Sequence, residues 1–213
     1  MQTNLTRKFK SALFGDDKIA FRLSEHDKLF LSDLAKVELI AKSDADAFHY
    51  SHQKTKSSSS LRRLENLGLL RSYKLHTPGG VEVVYTFAND RIARIAGGRM
   101  PVIGAKRTDY HELVTSKLYF QLSRPVDFRT MSGFKKDDRA FIDKHRLISP
   151  DALYTNEAGE RVFVEADSGQ YTKFQINHKI ASWQSLGIKQ VWGQPKSSFS
   201  RVPNARDVNT FLF

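Results

Sequence analysis

The sequence predicts an α+β chain in two domains, on three observations. The first half carries amphipathic helical segments followed by a turn-linked pair of strands. A breaker-rich stretch lies near residue 100, and the second half interleaves strands with helices. With 213 residues the chain is long enough for two small domains, each with its own core. Residues 1–20 read as a basic arm, 21–92 as the first domain, 93–107 as a linker and 108–213 as the second domain. The linker is placed on RIARIAGGRMPVIGAKR, where Gly97, Gly98, Pro101 and Gly104 interrupt any regular element.

In the first domain, LSEHDKLFLSDLAKVELI opens on Ser24 with Asp27 three residues on, a variant of the capping box. Leu29, Phe30, Leu34 and Val37 then fall roughly on one helical face. A second, short helix is expected to start at Asp44, whose carboxylate can cap free amides. A third runs through SSSSLRRLENLG, with Leu61, Leu64 and Leu67 as its buried stripe and Gly68 as its stop. The strand-like runs LLRSYKL and VEVVYTF flank Pro78-Gly79-Gly80, which predicts a β-hairpin.

Three helices and then a hairpin resembles the winged helix-turn-helix domains of bacterial DNA-binding proteins, with LRRLENLGLLRSYKL similar to their third helix running into the wing. The resemblance implies that this third helix enters the major groove. Its solvent face is expected to offer Lys54, Lys56, Ser57, Ser58, Ser59, Arg62 and Arg63. Lysines and serine hydroxyls suit phosphate contacts, and Arg62 or Arg63 suits a guanine edge. Lys74 and His76 flank the wing turn within reach of a backbone phosphate. The competing account of this surface is a solvated face on a dimerisation or docking module.

In the second domain, YHELVTSKLYFQL has helical spacing after Thr108, an expected N-cap, with Asp109 in the first turn. VDFRTM, LISPDALYT and RVFVEAD read as strands, the last two joined by NEAGE with its turn-forming Asn156 and Gly159. KFQINHKIASWQSLG reads as a helix ended by Gly187, and IKQVWGQ as a final buried strand; Trp183 and Trp192 fall at core positions. Asp151 lies in the first strand of the NEAGE pair, and Glu165 and Asp167 close the second, so Asp151 and Glu165 can converge. Two convergent carboxylates make a hard-oxygen site of the kind Mg²⁺ or Mn²⁺ prefers. Otherwise Asp151 starts a turn, and Glu165 and Asp167 are strand-end charges.

SPDALY followed by VFVEAD resembles the core signature of the PD-(D/E)XK nucleases, a superfamily that includes many restriction endonucleases. The resemblance implies a restriction-endonuclease-like α/β domain on a central mixed sheet. It also implies that Asp151 and Glu165 are metal ligands, with the main-chain carbonyl of Ala166 beside them. The family's lysine is replaced by Asp167. By the same resemblance Lys179 on the following helix is its substitute, Lys173 is the second candidate, and Glu112 is an additional acidic residue. The wider order is similar to replication-relaxation proteins and MobC-type plasmid mobilisation relaxases. That likeness implies nicking of double-stranded DNA with other mobilisation or replication proteins as partners. The histidine triad and tyrosine nucleophile of many relaxases are not evident: Tyr154, Tyr171, His111, His145 and His178 are scattered and read as structural or surface residues.

Composition narrows the classes. The formal net charge of +11 signals a polyanionic partner, nucleic acid before membrane. The absence of cysteine removes disulfides, thiolate zinc sites and thiol nucleophiles. No apolar run approaches the roughly 20 residues that span a bilayer, and neither a signal peptide nor a Walker-type loop is evident. The expectation is a cytoplasmic, Mg²⁺- or Mn²⁺-dependent DNA endonuclease, with a homodimer suited to palindromic sites. The other reading is a catalytically inactive DNA-binding regulator that keeps the nuclease fold for dimerisation.

Overall fold

The computed structural model describes residues 3–14, 22–51, 56–101, 106–194, 196, 201–203, 205 and 207–213, without the side chains of 3, 4, 14, 56, 57 and 106–108. The chain is α+β and divides into two compact units, Met1–Ile103 and Gly104–Phe213. Among the described residues no helix is long and apolar enough to cross a membrane.

In the first unit, α1 spans Thr3–Phe14 and α2 spans Glu25–Val37. The expected capping box forms: Ser24 Oγ accepts from the Asp27 amide at 3.1 Å, and Asp27 Oδ2 accepts from the Ser24 amide at 2.7 Å. Phe30, Leu34 and Val37 are buried on one face of α2, together with Leu31. A two-residue strand β1 (Ile40–Ala41) precedes α3 (Lys42–Phe48), so Asp44 lies inside the first turn of that helix and not at its cap. Helix α4 (Lys56–Asn66) buries Leu61 and Leu64 and stops at Gly68, whose φ of 69° favours glycine. Strands β2 (Leu70–Thr77) and β3 (Gly80–Phe87) form the expected hairpin around Pro78-Gly79, and the sheet order is β1-β3-β2, antiparallel throughout.

Two expectations for this unit are corrected. Residues 3–14, within the segment read as a basic arm, form a helix in which Phe9 is fully buried, and α1 packs against α5. The segment read as the start of a linker is α5 (Asp90–Ala96), N-capped by Asn89 Oδ1, which accepts from the Ile92 amide at 3.0 Å. Its glycines are structural. Gly97 closes the helix at φ 86°, and Gly98 lies so close to α2 that a Cβ there would sit 2.6 Å from Ala35 Cα. A breaker-rich string here terminates and packs a helix.

The second unit is built on a mixed five-stranded sheet in the order β4-β5-β6-β7-β8. Helix α6 (Lys106–Gln121) begins ahead of Thr108, which is therefore not its cap. Of the expected VDFRTM strand only β4 (Arg129–Thr130) forms, followed by a single 3₁₀ turn and α7 (Lys136–Lys144), a helix the periodicity did not reveal. Strands β5 (Ala152–Thr155) and β6 (Arg161–Ala166) pair antiparallel across the Asn156–Gly159 turn. Asp151 stands just before β5 and Asp167 just after β6, each one residue outside its strand. Helix α8 (Lys173–Gln184) crosses from β6 to the parallel strand β7 (Lys189–Gln194), and β8 (Val208–Leu212) adds in parallel beyond it. The strand IKQVWGQ is therefore not the last.

Trp183 and Trp192 are both fully buried in a core with Leu153, Phe163, Ile176 and Ile180. Trp183 meets Phe163 edge-on at 5.3 Å between ring centroids, and its indole N–H donates to the Ile148 carbonyl at 2.9 Å. On β6, Phe163 belongs to this core, and by the two-residue repeat of a strand Glu165 shares its face. That repeat aims Glu165 at α8.

Because α1 is held by one buried aromatic, Phe9→Ala is expected to destabilise the first unit by roughly 3 kcal/mol, the usual scale for truncating a buried phenylalanine. Urea unfolding followed by far-UV circular dichroism checks this, and an unchanged midpoint would mean that α1 does not pack.

Candidate active site and nucleic-acid surface

The main chain of Asp151 is clamped from both neighbours. Its amide donates to the Val164 carbonyl at 3.1 Å, and its carbonyl accepts from the Met131 amide at 2.7 Å. The β5–β6 register, carried one residue beyond Ala152↔Val164, sets Asp151 across from Glu165. This is the convergence expected from the sequence, and it follows from a short turn joining two paired strands.

Each carboxylate has a cationic partner from a helix. His111 Nε2, on α6, lies 2.9 Å from Asp151 Oδ1, and the Ala166 amide donates to Asp151 Oδ2 at 2.8 Å. Lys179, on α8, donates to Glu165 Oε1 and also to the Tyr171 hydroxyl at 3.2 Å. Its ammonium stands over the rings of Tyr171 and Trp183, 4.9 and 5.5 Å from their centroids. Glu165 is fully buried, and its second oxygen, Oε2, has no hydrogen-bond partner among the described residues.

Asp167 accepts from the Gly169 amide at 2.9 Å through Oδ1 and faces Arg201 Nε at 3.6 Å through Oδ2. Lys173, the other candidate lysine, is exposed at the start of α8, while Lys179 is buried. Glu112 is half-buried beside His111 on α6, and its charge acts on that imidazole.

Burial and neighbouring charge set the protonation of these groups. Loss of water lowers the His111 pKa, but the hydrogen bond and charge of Asp151, with Glu112 and Glu165 behind it, outweigh that loss and hold His111 at about 9. Burial would raise Asp151, yet His111, Lys179 and the Ala166 N–H keep it below the usual carboxylate range. Burial and the Asp151 charge push Glu165 up to about 8 against the pull of Lys179. The two facing acids are thus driven apart: His111 keeps Asp151 ionised, while Glu165 holds its proton to a higher pH than an ordinary glutamate despite Lys179.

The residues present fit a divalent cation. Glu165 Oε2 is a buried acceptor with nothing to accept, a state costing about 1–3 kcal/mol unless a ligand or water satisfies it. Asp151 Oδ1 becomes a second donor once His111 turns aside. As the side chains stand, no three His, Asp or Glu among the described residues gather closely enough to enclose an ion. Two facing carboxylates supply oxygen donors of the kind hard cations take.

His111, Tyr171 and Arg201 are site residues that the sequence does not single out. His111 and Tyr171 read there as scattered, yet both contribute to the site. The available signal is position: His111 precedes Glu112 early in α6, and Tyr171 stands just before α8 on the loop leaving Glu165.

On the first unit, Ser58, Ser59 and Arg62 are exposed on α4 and line a shallow pocket of about 330 Å³ with Arg63 and Asn66. Arg63 is otherwise engaged: its guanidinium pairs with the buried Asp27 and donates to the Arg22 carbonyl at 3.1 Å. Of the two arginines, Arg62 is therefore the exposed one. Lys74 and His76 are exposed on β2 near the hairpin turn. Lys54 lies outside the described residues, as do the side chains of Lys56 and Ser57.

Comparison with protein-family models, with curated proteins and with solved structures finds no match to this chain.

With His111 and Glu165 both raised, the folded chain binds more protons than the unfolded chain between the ordinary glutamate value and about pH 9. Its stability therefore falls as pH rises through that window. The His111 contribution is complete below about pH 6.5 and is lost as pH passes about 9. Thermal melts from pH 5 to 9 are expected to show a declining midpoint, and His111→Gln to flatten the upper part of that decline. A midpoint that climbs across the range would contradict the assignment.

Proposed function

We propose that this chain is a metal-dependent, sequence-specific DNA endonuclease or nickase: a winged-helix unit binds duplex DNA and a PD-(D/E)XK-like unit cuts it. The observation that carries the reading is the Lys179–Glu165 pair across from Asp151. It supports an acid-acid-lysine grouping like that of the nuclease motif the sequence resembles, with the lysine taken from α8 in place of residue 167.

Asp151 and Glu165 would hold Mg²⁺ or Mn²⁺, which polarises a phosphodiester and lowers the pKa of water at the site. Lys179 carries positive charge to the place where a phosphodiester gains negative charge during cleavage. Tyr171 and Trp183 lie under that ammonium and limit where it can point. Tyr171 itself is held neutral, chiefly by burial and by the charge of Glu165, which argues against a tyrosinate nucleophile. Activated water, and not a tyrosine, is then the attacking group. On the first unit, Arg62, Ser58 and Ser59 of α4 contact the duplex, with Lys74 and His76 on the wing. The likeness to mobilisation proteins suggests a transfer origin as the DNA site.

The second reading, a catalytically inactive DNA-binding regulator, has its own supporting observation. His111 and Lys179 already neutralise both carboxylates from within the chain. An inactive site of that kind needs no cation.

A supercoiled-plasmid assay separates the two. Nicking is expected with Mn²⁺ or Mg²⁺ and none with EDTA; Asp151→Asn and Glu165→Gln are expected to lose it, and Lys179→Met to slow it by about 10²-fold or more. Full activity in the carboxylate variants would remove the catalytic assignment, and no cutting under any condition would favour the regulator.

DNA binding is tested independently of cutting. Affinity for duplex is expected to fall steeply with salt, and Arg62→Ala to weaken binding by about 1–3 kcal/mol if it reads a base edge. Binding that ignores both ionic strength and Arg62 would point to a docking module.

A further inference from the structure

Helices α1 and α5 flank an open groove of about 820 Å³ lined by Arg7, Lys8, Ser11, Ala12, Arg91, Arg94 and Ile95. All four cations are exposed, and among the described residues Arg94 alone has an acidic partner, Asp90 at 2.7 Å. The spacing explains how they gather. Arg7 and Ser11 are four apart on α1, and Arg91, Arg94 and Ile95 are three and four apart on α5, so each helix turns one basic face toward the groove. The rows are held in place, since Phe9 beside Lys8 is fully buried and Ile92 and Ala93 beside Arg91 are buried too. Like charges collected on two fixed helices repel one another unless an anion lies between them.

We propose that the α1–α5 groove is a second DNA contact that grips the phosphate backbone, separate from the α4 surface; it rests on the DNA-binding reading above. The chemistry favours phosphate over an acidic peptide. The lining is guanidinium, ammonium and hydroxyl, the donors that dominate backbone contacts, and three of its four cations are arginines, whose forked donors match phosphate oxygens. Its apolar lining among the described residues is Ala12 and the partly buried Ile95, with no aromatic, which leaves little to anchor a peptide side chain. A backbone contact carries no sequence information, so this groove would add affinity and orientation while α4 supplies selectivity.

The test is fluorescence anisotropy of a labelled duplex with the full chain over a range of salt concentrations. Arg7→Gln with Arg91→Gln is expected to weaken binding about tenfold or more near physiological salt. It should lower the slope of log affinity against log salt by roughly 2, about 0.9 for each phosphate that an arginine no longer neutralises. The effect should be equal on unrelated sequences, and Arg7→Lys with Arg91→Lys should keep most of the slope. Both positions are exposed, so circular dichroism of the variants should match the parent. Unchanged affinity and slope in the glutamine pair, with Arg62→Ala still impaired, would overturn the groove and leave DNA binding at α4 intact. Competition by polyglutamate as effective as by unlabelled duplex would also overturn it, in favour of an acidic protein partner. A parent chain that binds no duplex would overturn this proposal together with the reading beneath it.

Discussion

The second unit is organised around one electrostatic constraint: two carboxylates face each other across adjacent strands where water is scarce. Bringing Asp151 and Glu165 together without cations would force one of them to take a proton, as paired buried acids do. The fold answers this in part by drawing a histidine from α6 and a lysine from α8 to the same end of the sheet: Asp151 is held low, while Glu165 stays raised. Both helices pack on the strands that bear the acids or their neighbours, α6 on β6 and β7 and α8 on β7. The charges are thus tied to the same contacts that build the core. Trp183 belongs to both, filling the core with Phe163 and lying beneath the Lys179 ammonium.

The first unit also buries a carboxylate, and the contrast is informative. Asp27 accepts from the Ser24 amide and hydroxyl, from the Tyr50 hydroxyl and from the Arg63 guanidinium, so both of its oxygens are engaged. It joins α2 to α4 and to the end of α3, and nothing remains on it for a ligand. Glu165 is as deeply buried but keeps one oxygen unpartnered among the described residues. A buried acid whose hydrogen bonds are complete is a structural tie. One left half-satisfied is a cost to the fold, of the kind expected where a ligand completes the set.

What the sequence disclosed follows the range of the forces involved. α2, α4, the hairpin, the β5–β6 pair and α8 were legible because a cap, a turn or a periodic stripe specifies each locally. α1 and α5 were not: the basic residues of α1 obscure its apolar ones, and Gly97-Gly98 acts as a cap and a close contact where the string alone reads as a break. β8 escaped notice because VNTFL is short and largely exposed, so neither a buried run nor a turn marks it as a strand. In the site, Asp151 and Glu165 could be brought together from strand register, and Lys179 entered only as the substitute that the family resemblance implies. His111 could not, because α6 reaches Asp151 only through tertiary packing, and a lone histidine on an amphipathic helix carries no mark of its destination. The choice between Arg62 and Arg63 was equally closed to the sequence. Adjacent residues on a helix diverge by about 100°, and only the buried Asp27 decides which guanidinium is engaged.

That division of the arginines bears on how a charge of +11 should be understood. Net charge weighs every basic side chain alike, whereas the fold assigns them different tasks. Arg63 is committed to Asp27, Arg129 to Asp138 and Asp127, and Lys179 to Glu165, and these cations stabilise buried or half-buried acids. Arg62, Lys74, Arg7, Lys8 and Arg91 are exposed, and the described residues give them no acidic partner. The exposed positive charge of the first unit therefore resides in a subset of residues that includes those on α4, the hairpin and the α1–α5 groove. Within the second unit the same logic runs inward: its site cations were recruited to neutralise acids, and a divalent ion entering there would take over from His111 the charge balance that the chain now supplies itself.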